Sequence, residues 1–526
     1  MKIRIIRTPF VFPVKHLSSI TSVPDIGTAY VNGAVIAAGH ESEIIDAAGE
    51  GLGTYTRIAG TNLKFSGLNA DEIIERIPLD VDVIGLQSMH SNRWIYDSVI
   101  VRKILKLFPN TPLILGGESV SAISDYILPR YPEIYACVIG EGEETFLELI
   151  DSVRTGRPRK DIEGIAFMSS SGAIKFTERR KRKKDLDKLS RPSWKGVPIK
   201  KYLDNHCGVN SFSRRSIPMV ATRGCPFSCT FCTVPNMWES KWFARPPADV
   251  VDEIEGYIKT HGVNHIDFVD LTIMINRKWM EEFCNMLIER DLDLTWAIPI
   301  GTRTEGLDDE LLALMKKSGL MRVLYSAESG SDETLERINK KLSVEGFNKV
   351  VRSSVKQGII VKIAFIFGFP GQTFTEVYDS LKLITKMAWL GAYDIVCLSF
   401  IPYPKTELFD QENVEYDYED PDNNIRINND IGNMKSWSDH FGDKFLRRIV
   451  VVFSMYFYLL QAFFRPHRVF AGFYRAFIKK KPLTNFESIA FNFMKDLKTK
   501  NKVMHLDEED IYLLDSSSQK KVQVGK

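Results

Sequence analysis

The sequence predicts an α/β protein in three parts: an N-terminal doubly wound, Rossmann-like domain, a partial barrel of six β/α units, and a mainly helical C-terminal region. In both halves of the chain, short β-branched runs alternate with amphipathic stretches, which is the pattern of parallel βαβ units. The chain has 526 residues, of which 44% are hydrophobic and 26% charged. This length and composition fit a globular protein of roughly two to four domains.

Residues 1–155 are predicted to form the first domain. Its predicted strands and helices are 2–6, 27–38, 43–45, 81–86, 94–107, 112–115, 136–139 and a last helix that ends near Val153. Ligands of such sheets bind beyond the carboxyl ends of the strands, so the expected contact loops are 7–13, 87–92, 116–119 and 140–143. Glycines in the last two loops permit the close approach of a large flat ligand. Neither GxGxxG nor GxxxxGKS/T is present, so no phosphate-binding loop is predicted.

Residues 156–212 are predicted to be a linker that contains a β-hairpin. The hairpin pairs Ile162–Phe167 with Ala173–Phe176 across the turn at Gly172. A run of six basic residues, Arg179–Lys184, follows it. We interpret this run as a solvated edge of the linker, with contact to an anion or to a membrane surface as the alternative.

Residues 213–410 resume the alternation and predict the partial barrel. Its predicted strands are 219–221, 264–269, 294–299, 321–326, 361–367 and 394–400, and its predicted helices are 247–261, 278–290, 308–318, 343–357 and 375–390. In barrels of this kind chemistry collects at the carboxyl ends of the strands. The first strand ends at a loop that carries three cysteines, and the second strand ends at Asp270, whose role the sequence leaves open between a cap and a site residue.

Cys225, Cys229 and Cys232 lie in the stretch Thr222-Arg-Gly-Cys-Pro-Phe-Ser-Cys-Thr-Phe-Cys, with the spacing CxxxCxxC. Thiolates are the usual ligands of iron–sulfur clusters, and three thiolates on a four-iron cluster leave one iron open to a small molecule. A zinc site normally needs four ligands, and only Cys207, upstream, could be recruited as the fourth. Seven cysteines in a chain of this length do not indicate a disulfide framework.

The spacing CxxxCxxC resembles the signature of the radical S-adenosylmethionine (radical SAM) superfamily. A doubly wound domain placed before this signature resembles the cobalamin-dependent branch, which includes class B methyltransferases and the anaerobic magnesium-protoporphyrin monomethyl ester cyclase. The residues that carry this resemblance are Ile26-Gly27, Gly39-His40-Glu41, Leu115-Gly-Gly-Glu118, Ile139-Gly-Glu-Gly-Glu143, Glu328-Ser-Gly-Ser331 and Gly368-Phe-Pro-Gly371.

The resemblance implies three cofactors: a 4Fe-4S cluster on Cys225, Cys229 and Cys232, SAM on the open iron, and cobalamin in the first domain. The SAM contacts that it implies are Phe231, Arg303, Glu328, Gly368, Pro370 and Gly371. The cobalamin contacts that it implies are Ser88, Gly116, Gly117, Gly140, Glu141, Gly142 and Glu143. It assigns no further catalytic residue.

Many cobalamin proteins carry the motif DxHxxG, whose histidine binds cobalt from below, and this domain lacks it. His90 follows Gln87-Ser-Met, with Ser88 where the aspartate would stand. His40 is interpreted as a structural residue at a helix exit. We therefore expect cobalamin to be held without a protein imidazole on cobalt.

The resemblance implies an enzyme that cleaves SAM reductively to a 5'-deoxyadenosyl radical and methylates an unactivated carbon of a small-molecule or lipid substrate. Ring cyclisation or rearrangement, as in the cyclase, is the alternative. An external one-electron reductant of the flavodoxin or ferredoxin type is the expected partner. Methylthiotransferases of tRNA need extra N-terminal cysteines, whereas the first cysteine here is Cys137. A cobalamin-binding sensor would leave the cysteine loop and the barrel unexplained.

The net charge of +2 argues against a surface that coats nucleic acid. The N-terminus has no long apolar run with a cleavage site, so we expect a cytoplasmic protein. In the C-terminal region, 411–526, the apolar run Ile449–Phe464 has sixteen residues, fewer than the ~20 that span a membrane. We expect it to form a helix that packs over the mouth of the barrel, with contact to a membrane surface as the alternative.

Overall fold

The computed structural model describes residues 1–14, 22–59, 61–209, 214–420, 423, 432–479, 484, 487 and 502–504. Within them the chain forms two largely parallel sheets, one in each half, with helices packed against both. The predicted α/β class is confirmed, and the described part of the region 411–526 is mainly helical. Much of that region lies outside the described residues.

The first half contains ten strands and six α-helices. In chain order these are β1 (Lys2–Arg7), β2 (Phe10–Pro13), α1 (Ile26–Ala37), β3 (Glu41–Asp46), α2 (Ala47–Glu50), β4 (Tyr55–Ile58), β5 (Leu63–Ser66), α3 (Ala70–Ile74), β6 (Val83–Gln87), α4 (Trp94–Leu107), β7 (Leu113–Gly116), α5 (Glu118–Arg130), β8 (Ala136–Val138), α6 (Gly142–Thr155), β9 (Ile165–Met168) and β10 (Ile174–Phe176).

Seven of these strands form one sheet in the order β10-β9-β8-β7-β6-β1-β3. The five strands from β8 to β3 are parallel, and the chain passes from β1 to β3 on one side and then to β6 on the other. The order therefore reverses between β1 and β6, where parallel sheets of this kind bind their ligands. A second, small sheet of β2, β4, β5 and the later strand β19 (Lys502–Met504) was not predicted.

The predicted hairpin forms, but it does not stand apart as a linker element. β9 pairs antiparallel with β8, with Cys137 opposite Ala166, and so extends the first sheet by two strands. Ile162 and Ile165 are buried in the core of the first domain. The hairpin joins the sheet because the edge of β8 offers unpaired backbone groups beside this apolar surface.

The second half begins with a short helix and continues as the barrel. Its elements are α7 (Ile199–Asp204), β11 (Ser216–Met219), β12 (Thr222–Arg223), α8 (Val234–Trp238), β13 (Phe243–Ala244), α9 (Pro247–His261), β14 (His265–Phe268), α10 (Arg277–Glu289), β15 (Thr295–Thr302), α11 (Asp309–Lys317), β16 (Leu320–Glu328), α12 (Asp332–Arg337), α13 (Val344–Lys356), β17 (Ile360–Phe367), α14 (Phe374–Leu390), β18 (Asp394–Ser399), α15 (Glu407–Gln411), α16 (Asp443–Phe464) and α17 (Pro466–Phe473).

Six parallel strands form the open barrel in the order β11-β14-β15-β16-β17-β18, as the sequence predicts. Local signals set the bounds of its helices. Helix α9 begins with Pro247 and ends at Gly262, which adopts the left-handed conformation with φ +61°. Helix α14 begins with a reciprocal capping box between Thr373 and Glu376 and ends at Gly391 with φ +103°.

Helix α16 packs on the outside of the barrel, against α14 and β18, and not over the mouth. Its buried stripe, Leu446, Ile449, Val450, Phe453 and Phe457, has the three- and four-residue spacing of one helix face. It therefore occupies the place of the sixth outer helix. α16 is also long and apolar enough to cross a membrane. Its most apolar 18-residue stretch has a mean hydropathy of 1.4, although 33% of that stretch is buried in the fold. Its opposite face exposes Val452, Met455 and Leu459.

The carboxyl edges of the two sheets face each other. Arg223, at the root of the cysteine loop, forms ion pairs across this interface with Glu141 at 2.9 Å and with Glu143 at 2.5 Å. All three side chains are at most 16% exposed. Thr233, directly after Cys232, donates a hydrogen bond to Glu118 at the end of β7. The two edges are thus joined by buried polar contacts.

The basic run Arg179–Lys184 forms a solvated edge only in part: Arg179, Lys181 and Lys184 are exposed, and the other three residues are half-buried. Four of its six residues form ion pairs with acidic groups of the two domains that the run connects. The pairs are Arg179 with Glu239 (3.5 Å), Arg180 with Glu148 (2.6 Å), Arg182 with Glu141 (3.4 Å), and Lys183 with Glu144. These charges are compensated within the protein, which leaves little of the run for an external anion.

The segment 401–420, which follows β18, crosses from the barrel to the first domain. Ile401 and Tyr418 are buried in the core of that domain, beneath α4 and α5. Three polar contacts hold the segment there: Lys405 with Asp125 (2.6 Å), Tyr126 with Asp417 (2.5 Å), and Trp94 with Glu419 (3.1 Å). The segment closes one side of the space between the two carboxyl edges.

Replacing Glu143 with glutamine removes one of the two carboxylates that neutralise buried Arg223. We expect the free energy of unfolding to fall by about 3 kcal/mol, because the loss leaves buried charge partly uncompensated. Urea unfolding followed by tryptophan fluorescence measures this loss. Glu148→Gln, which removes the partly exposed partner of Arg180, should cost less than about 1 kcal/mol. Equal losses in the two variants would contradict the central role of the Arg223 ion pairs.

Candidate functional site

The cysteine loop is anchored at its root by a buried carboxylate. Asp270, at the end of the second barrel strand, accepts hydrogen bonds from the Ala221 amide at 3.1 Å, the Thr222 hydroxyl at 2.7 Å, and the Thr222 amide. Burial raises the pKa of Asp270 to about 6, and these donors oppose the rise. The residue that the sequence left undecided is therefore the anchor of the loop.

The loop then turns at Gly224, where no other residue fits. Gly224 has φ +88°, and a Cβ atom there would lie 2.0 Å from the Lys241 carbonyl oxygen. Arg223, immediately before it, pairs with Phe243 in a two-residue β-ladder. These constraints fix the direction in which the three cysteines leave the barrel.

The three predicted ligands share one space. Cys229 is buried, Cys225 and Cys232 are half-buried, and all three are free thiols. Burial, together with the other two cysteines, raises the pKa of Cys232 to about 12. In the described part of the chain, no three His, Cys, Asp or Glu side chains are close enough to hold a single metal ion. Three neighbouring thiols suit an iron–sulfur cluster, in which each thiolate binds a different iron.

Cys207 lies at the other end of the barrel. It precedes β11, and the amide of nearby Val209 donates to Asp267 on β14 at 2.9 Å, below the carboxyl edge. The three cysteines follow the opposite end of β11. Cys207 is therefore not placed to complete a four-cysteine site.

Arg303 lies against the cysteine loop. Its guanidinium is 3.7 Å from the Cys229 sulfur and stacks over the ring of Phe227 at 3.7 Å. It also donates to the Lys341 carbonyl oxygen at 2.7 Å and pairs with Glu305. Arg303 therefore places a guanidinium group beside the sulfur of Cys229, a predicted cluster ligand.

Glu328 ends β16 in a strained conformation. Its φ of +60° is unusual for a residue with a Cβ atom, and such strain in folded proteins is concentrated at functional sites. Its carboxylate is buried and forms an ion pair with the equally buried Lys340 at 2.9 Å. The sequence placed Glu328 in the site but did not foresee Lys340.

The turn Gly368–Gly371 follows β17, next to Glu328 on the adjacent strand. Gly368 and Gly371 have φ of +85° and +67°. The Gly368 amide donates to the Gln372 side chain at 2.7 Å, and Pro370 is half-buried. Phe231 of the cysteine loop packs edge-on against Phe369 of this turn at 5.6 Å. The predicted SAM residues are thus gathered at one edge of the barrel, beside the cysteines.

In the first domain, the predicted glycines lie at the ends of β7 and β8. A Cβ atom at Gly116 would approach other atoms no closer than 3.9 Å, and one at Gly140 would meet nothing within 4 Å. Gly117, with φ +111°, is different, because a Cβ atom there would lie 2.3 Å from the Ser88 carbonyl oxygen. The backbone therefore leaves room for a large ligand over two strand ends while the neighbouring loops stay closely packed.

Of the other predicted cobalamin residues, the two carboxylates have a protein partner. Glu141 and Glu143 bind Arg223; burial raises the pKa of Glu143, but Arg223 lowers it to a net value below its usual range. Gly142 begins α6. Ser88 is fully buried near the carboxyl of Asp97, whose pKa burial raises to about 7 while the hydroxyls of Ser88 and Thr8 oppose the rise.

Two residues that the sequence did not single out line the space between the edges. Glu118 belongs to the quoted motif Leu115–Glu118, which could have indicated it; burial raises its pKa, and Thr233 opposes this. Tyr403 is 41% exposed by surface area, yet burial raises its pKa, with a smaller contribution from Glu118. Tyr403 therefore lies close to Glu118, and no sequence signal marked it.

Comparison with family models agrees with this division of the chain. Residues 219–384 match the model of the Radical SAM superfamily, and residues 18–150 match that of the B12 binding domain. The first match covers the cysteine loop and most of the barrel, and the second covers the first domain. The two domains occur in the order that the sequence indicated.

Three curated relatives illustrate the range of similar proteins. The chain is 31% identical to the anaerobic magnesium-protoporphyrin IX monomethyl ester cyclase of Rubrivivax gelatinosus over 68% of its own length and 63% of the cyclase. It is 28% identical to an uncharacterized methyltransferase of Pyrococcus horikoshii over 78% of this chain and 83% of that one. The cytidylyl-2-hydroxyethylphosphonate methyltransferase of Streptomyces wedmorensis is 26% identical, over 70% of this chain and 74% of its own.

Solved structures share the fold. The radical SAM methyltransferase TsrM from Kitasatospora setae aligns with a TM-score of 0.60 and 15% identity, over 78% of this chain and 74% of its own. The cobalamin-dependent radical SAM enzyme OxsB aligns with a TM-score of 0.60 and 16% identity, over 78% of this chain and 55% of its own.

The family models also settle the cofactors. A radical SAM domain carries a 4Fe-4S cluster and SAM, and a B12 binding domain carries cobalamin. The free thiols of the cysteine loop and the open strand ends of the first domain fit these groups. The chain therefore combines a radical SAM domain with a B12 binding domain, as cobalamin-dependent radical SAM enzymes do.

Proposed function

We propose that this enzyme transfers a methyl group from SAM to an unactivated carbon of a small-molecule substrate. The observation that carries the proposal is the meeting of the two carboxyl edges, where Glu118 of the first domain bonds to Thr233 beside the cluster ligand Cys232. The residues that we predict to contact the two cofactors lie on these two facing edges, so a substrate between the edges can meet both cofactors. The methyltransferase of P. horikoshii, matched over 83% of its length, supports this assignment.

When bound, the cluster and SAM supply a carbon radical, and cobalamin supplies a transferable methyl group. The protein's own task is to bind, orient and shield. We infer that Arg303, Glu328 and the turn Gly368–Gly371 hold the polar groups of SAM, with Lys340 holding the Glu328 carboxylate in place through their ion pair. The segment 401–420 closes one side of the space between the two carboxyl edges. It thereby excludes water, which would otherwise quench reactive groups.

Ring formation is the second candidate. The relative with 31% identity is a cyclase, and it shares the same pair of domains over 68% of this chain. Both reactions begin with the same radical, so the residues described above serve either one. What distinguishes them is the fate of the methyl group.

We also propose that a flavodoxin- or ferredoxin-type protein supplies the electron in the cytoplasm, where a low potential is maintained and thiols stay reduced. A role for the exposed face of α16 at a membrane surface, or a lipid substrate, stays an expectation from the sequence. The exposed apolar residues of that face identify neither.

An isotope-labelling experiment distinguishes methyl transfer from cyclisation. Anaerobic incubation with candidate metabolites and SAM labelled in its methyl group should give a product that carries the label, as mass spectrometry detects. Formation of 5'-deoxyadenosine with an unlabelled, cyclised or rearranged product would favour the second candidate and overturn the first.

Replacing Cys229 with alanine should remove a cluster ligand and abolish 5'-deoxyadenosine formation. Iron and sulfide content should fall with it, measured after anaerobic reconstitution. Cys207→Ala is the matched control, because Cys207 is also buried but lies at the other end of the barrel. If Cys229→Ala still produced 5'-deoxyadenosine, or if Cys207→Ala lost the cluster equally, the ligand assignment would be wrong.

Glu328→Gln tests the proposed SAM contact. Loss of the carboxylate charge should raise the Kd for SAM by about tenfold, which corresponds to ~1.4 kcal/mol, the scale of one charge-assisted hydrogen bond. Equilibrium binding to the reconstituted protein measures this, and unchanged iron content shows that the site is intact. Glu333→Gln, an exposed glutamate on the next helix, should leave the Kd unchanged. Equal affinities for all three proteins would refute the contact.

A further inference from the structure

The exposed apolar side chains of the described chain are concentrated near its C-terminal end. Eleven of the nineteen large apolar side chains that are exposed in the described residues lie between Val452 and Ile478. They belong to α16, to α17 and to the short π-helix Tyr474–Lys479 that follows them. Single exposed apolar residues are normal on a protein surface, whereas a cluster of this size marks a surface that another molecule covers.

Helix α16 presents part of this surface while it stays packed on the barrel. Its buried stripe, from Leu446 to Phe457, contacts α14 and β18. The opposite face has the same three- and four-residue spacing. Its residues, all exposed, are Lys444, Arg448, Val452, Met455, Leu459 and Phe463. A helix that is held to the barrel by one face lies along a bilayer surface and does not span it.

Helix α17 adds a second apolar face beside the first. It packs against α16 and begins at Pro466, two residues after α16 ends. Phe470 of α17 is 76% exposed, and Phe463 near the end of α16 is 80% exposed. Phe473 stacks on Phe477 at 4.4 Å, and both rings are exposed. Aromatic side chains contribute strongly to binding when they leave water, so these rings favour association.

The charge of the same stretch indicates what covers it, which apolar exposure alone does not. Residues 444–486 contain nine Lys or Arg and no Asp or Glu, although the net charge of the whole chain is only +2. Lys444 and Arg448 lie on the exposed face of α16, about two turns and one turn before Val452. An apolar surface bordered by basic side chains is complementary to a bilayer, whose anionic headgroups lie directly above its hydrocarbon.

Two more arginines keep their charge uncompensated. Arg465 and Arg468 donate to backbone carbonyl oxygens at the carboxyl end of α14, at 2.7 and 3.0 Å. These acceptors are uncharged. Of the basic side chains between 444 and 475, only Arg475 forms an ion pair with a carboxylate of the described residues, Glu487 at 2.7 Å. The apolar surface therefore carries unbalanced positive charge along its border.

We propose that α16 and α17 dock this enzyme on the surface of a membrane that contains anionic lipids. The exposed aromatic side chains enter the boundary between the headgroups and the hydrocarbon, and the basic side chains bind the phosphate groups of the lipids. None of these residues belongs to either predicted cofactor site, so the docking does not depend on the reaction that the enzyme performs.

Vesicle sedimentation tests the proposal on the full-length enzyme after anaerobic reconstitution. The protein should sediment with vesicles of phosphatidylcholine mixed with phosphatidylglycerol, and less with vesicles of phosphatidylcholine alone. Raising the salt concentration should weaken the binding, because salt screens the basic side chains. An enzyme that stays in solution with both kinds of vesicle, or that binds both equally, would overturn the proposal.

Two variants locate the contact. The double variant Phe463→Ser, Phe470→Ser should lower the partition coefficient for the mixed vesicles at least about tenfold, because two exposed rings are lost. Arg448→Glu should lower it about tenfold on the mixed vesicles and little on phosphatidylcholine alone. Iron content equal to that of the wild type shows that each variant is folded.

Matched controls change the same chemistry elsewhere. Leu79→Ser with Phe176→Ser removes two exposed apolar side chains from the first domain, and Lys175→Glu reverses an exposed charge on β10. Both should bind vesicles like the wild type. Binding that persists in both test variants, or that falls equally in the controls, would refute docking through α16 and α17. A stable dimer that fails to bind vesicles and that the double phenylalanine variant dissociates would show that a second copy covers this surface instead.

Discussion

The architecture depends on one buried guanidinium held between two carboxylates. Arg223 comes immediately before the turn that delivers the cluster ligands, and Glu141 and Glu143 come immediately after the last parallel strand of the first sheet. Burying these charges separately would be costly, and together they compensate one another. Their pairing requires that the carboxyl edges of two independent sheets face each other. This arrangement creates the space between the two edges and brings Glu118 into contact with Thr233.

Helices and strands were predictable wherever the residues that determine them lie next to one another in the sequence. The bounds predicted for the helices Trp94–Leu107 and Pro247–His261 coincide with those of the structure, because their periodicity is strong and the second begins with proline and ends before glycine. The cysteine spacing predicts the cluster, and the resemblance of the strand-end motifs to the cobalamin-dependent family implies cobalamin. The small sheet of β2, β4 and β5 escaped prediction because each strand has only four residues, and β2 pairs with β5, which is distant from it in the sequence.

Contacts between distant segments were beyond the sequence. Nothing near Glu141 or Glu143 reveals that Arg223 lies opposite them, so the two carboxylates were assigned to a ligand. The basic run 179–184 seemed solvated because its acidic partners lie on other elements. Helix α16 was expected at the mouth because its apolar stripe does not say which surface it will cover. Tyr403 lies near Glu118 only because the segment 401–420 crosses from the barrel to the first domain.

The crossing segment has a consequence for the order of events during synthesis. Ile401 and Tyr418 complete a core whose other members come mostly from the first 170 residues. While the ribosome is still translating the barrel, the nascent first domain exposes the apolar surface beneath α4 and α5. That surface stays open to chaperones, and to aggregation, until about four-fifths of the polypeptide has emerged. A fragment that ends before the barrel would keep this unfinished face throughout its lifetime.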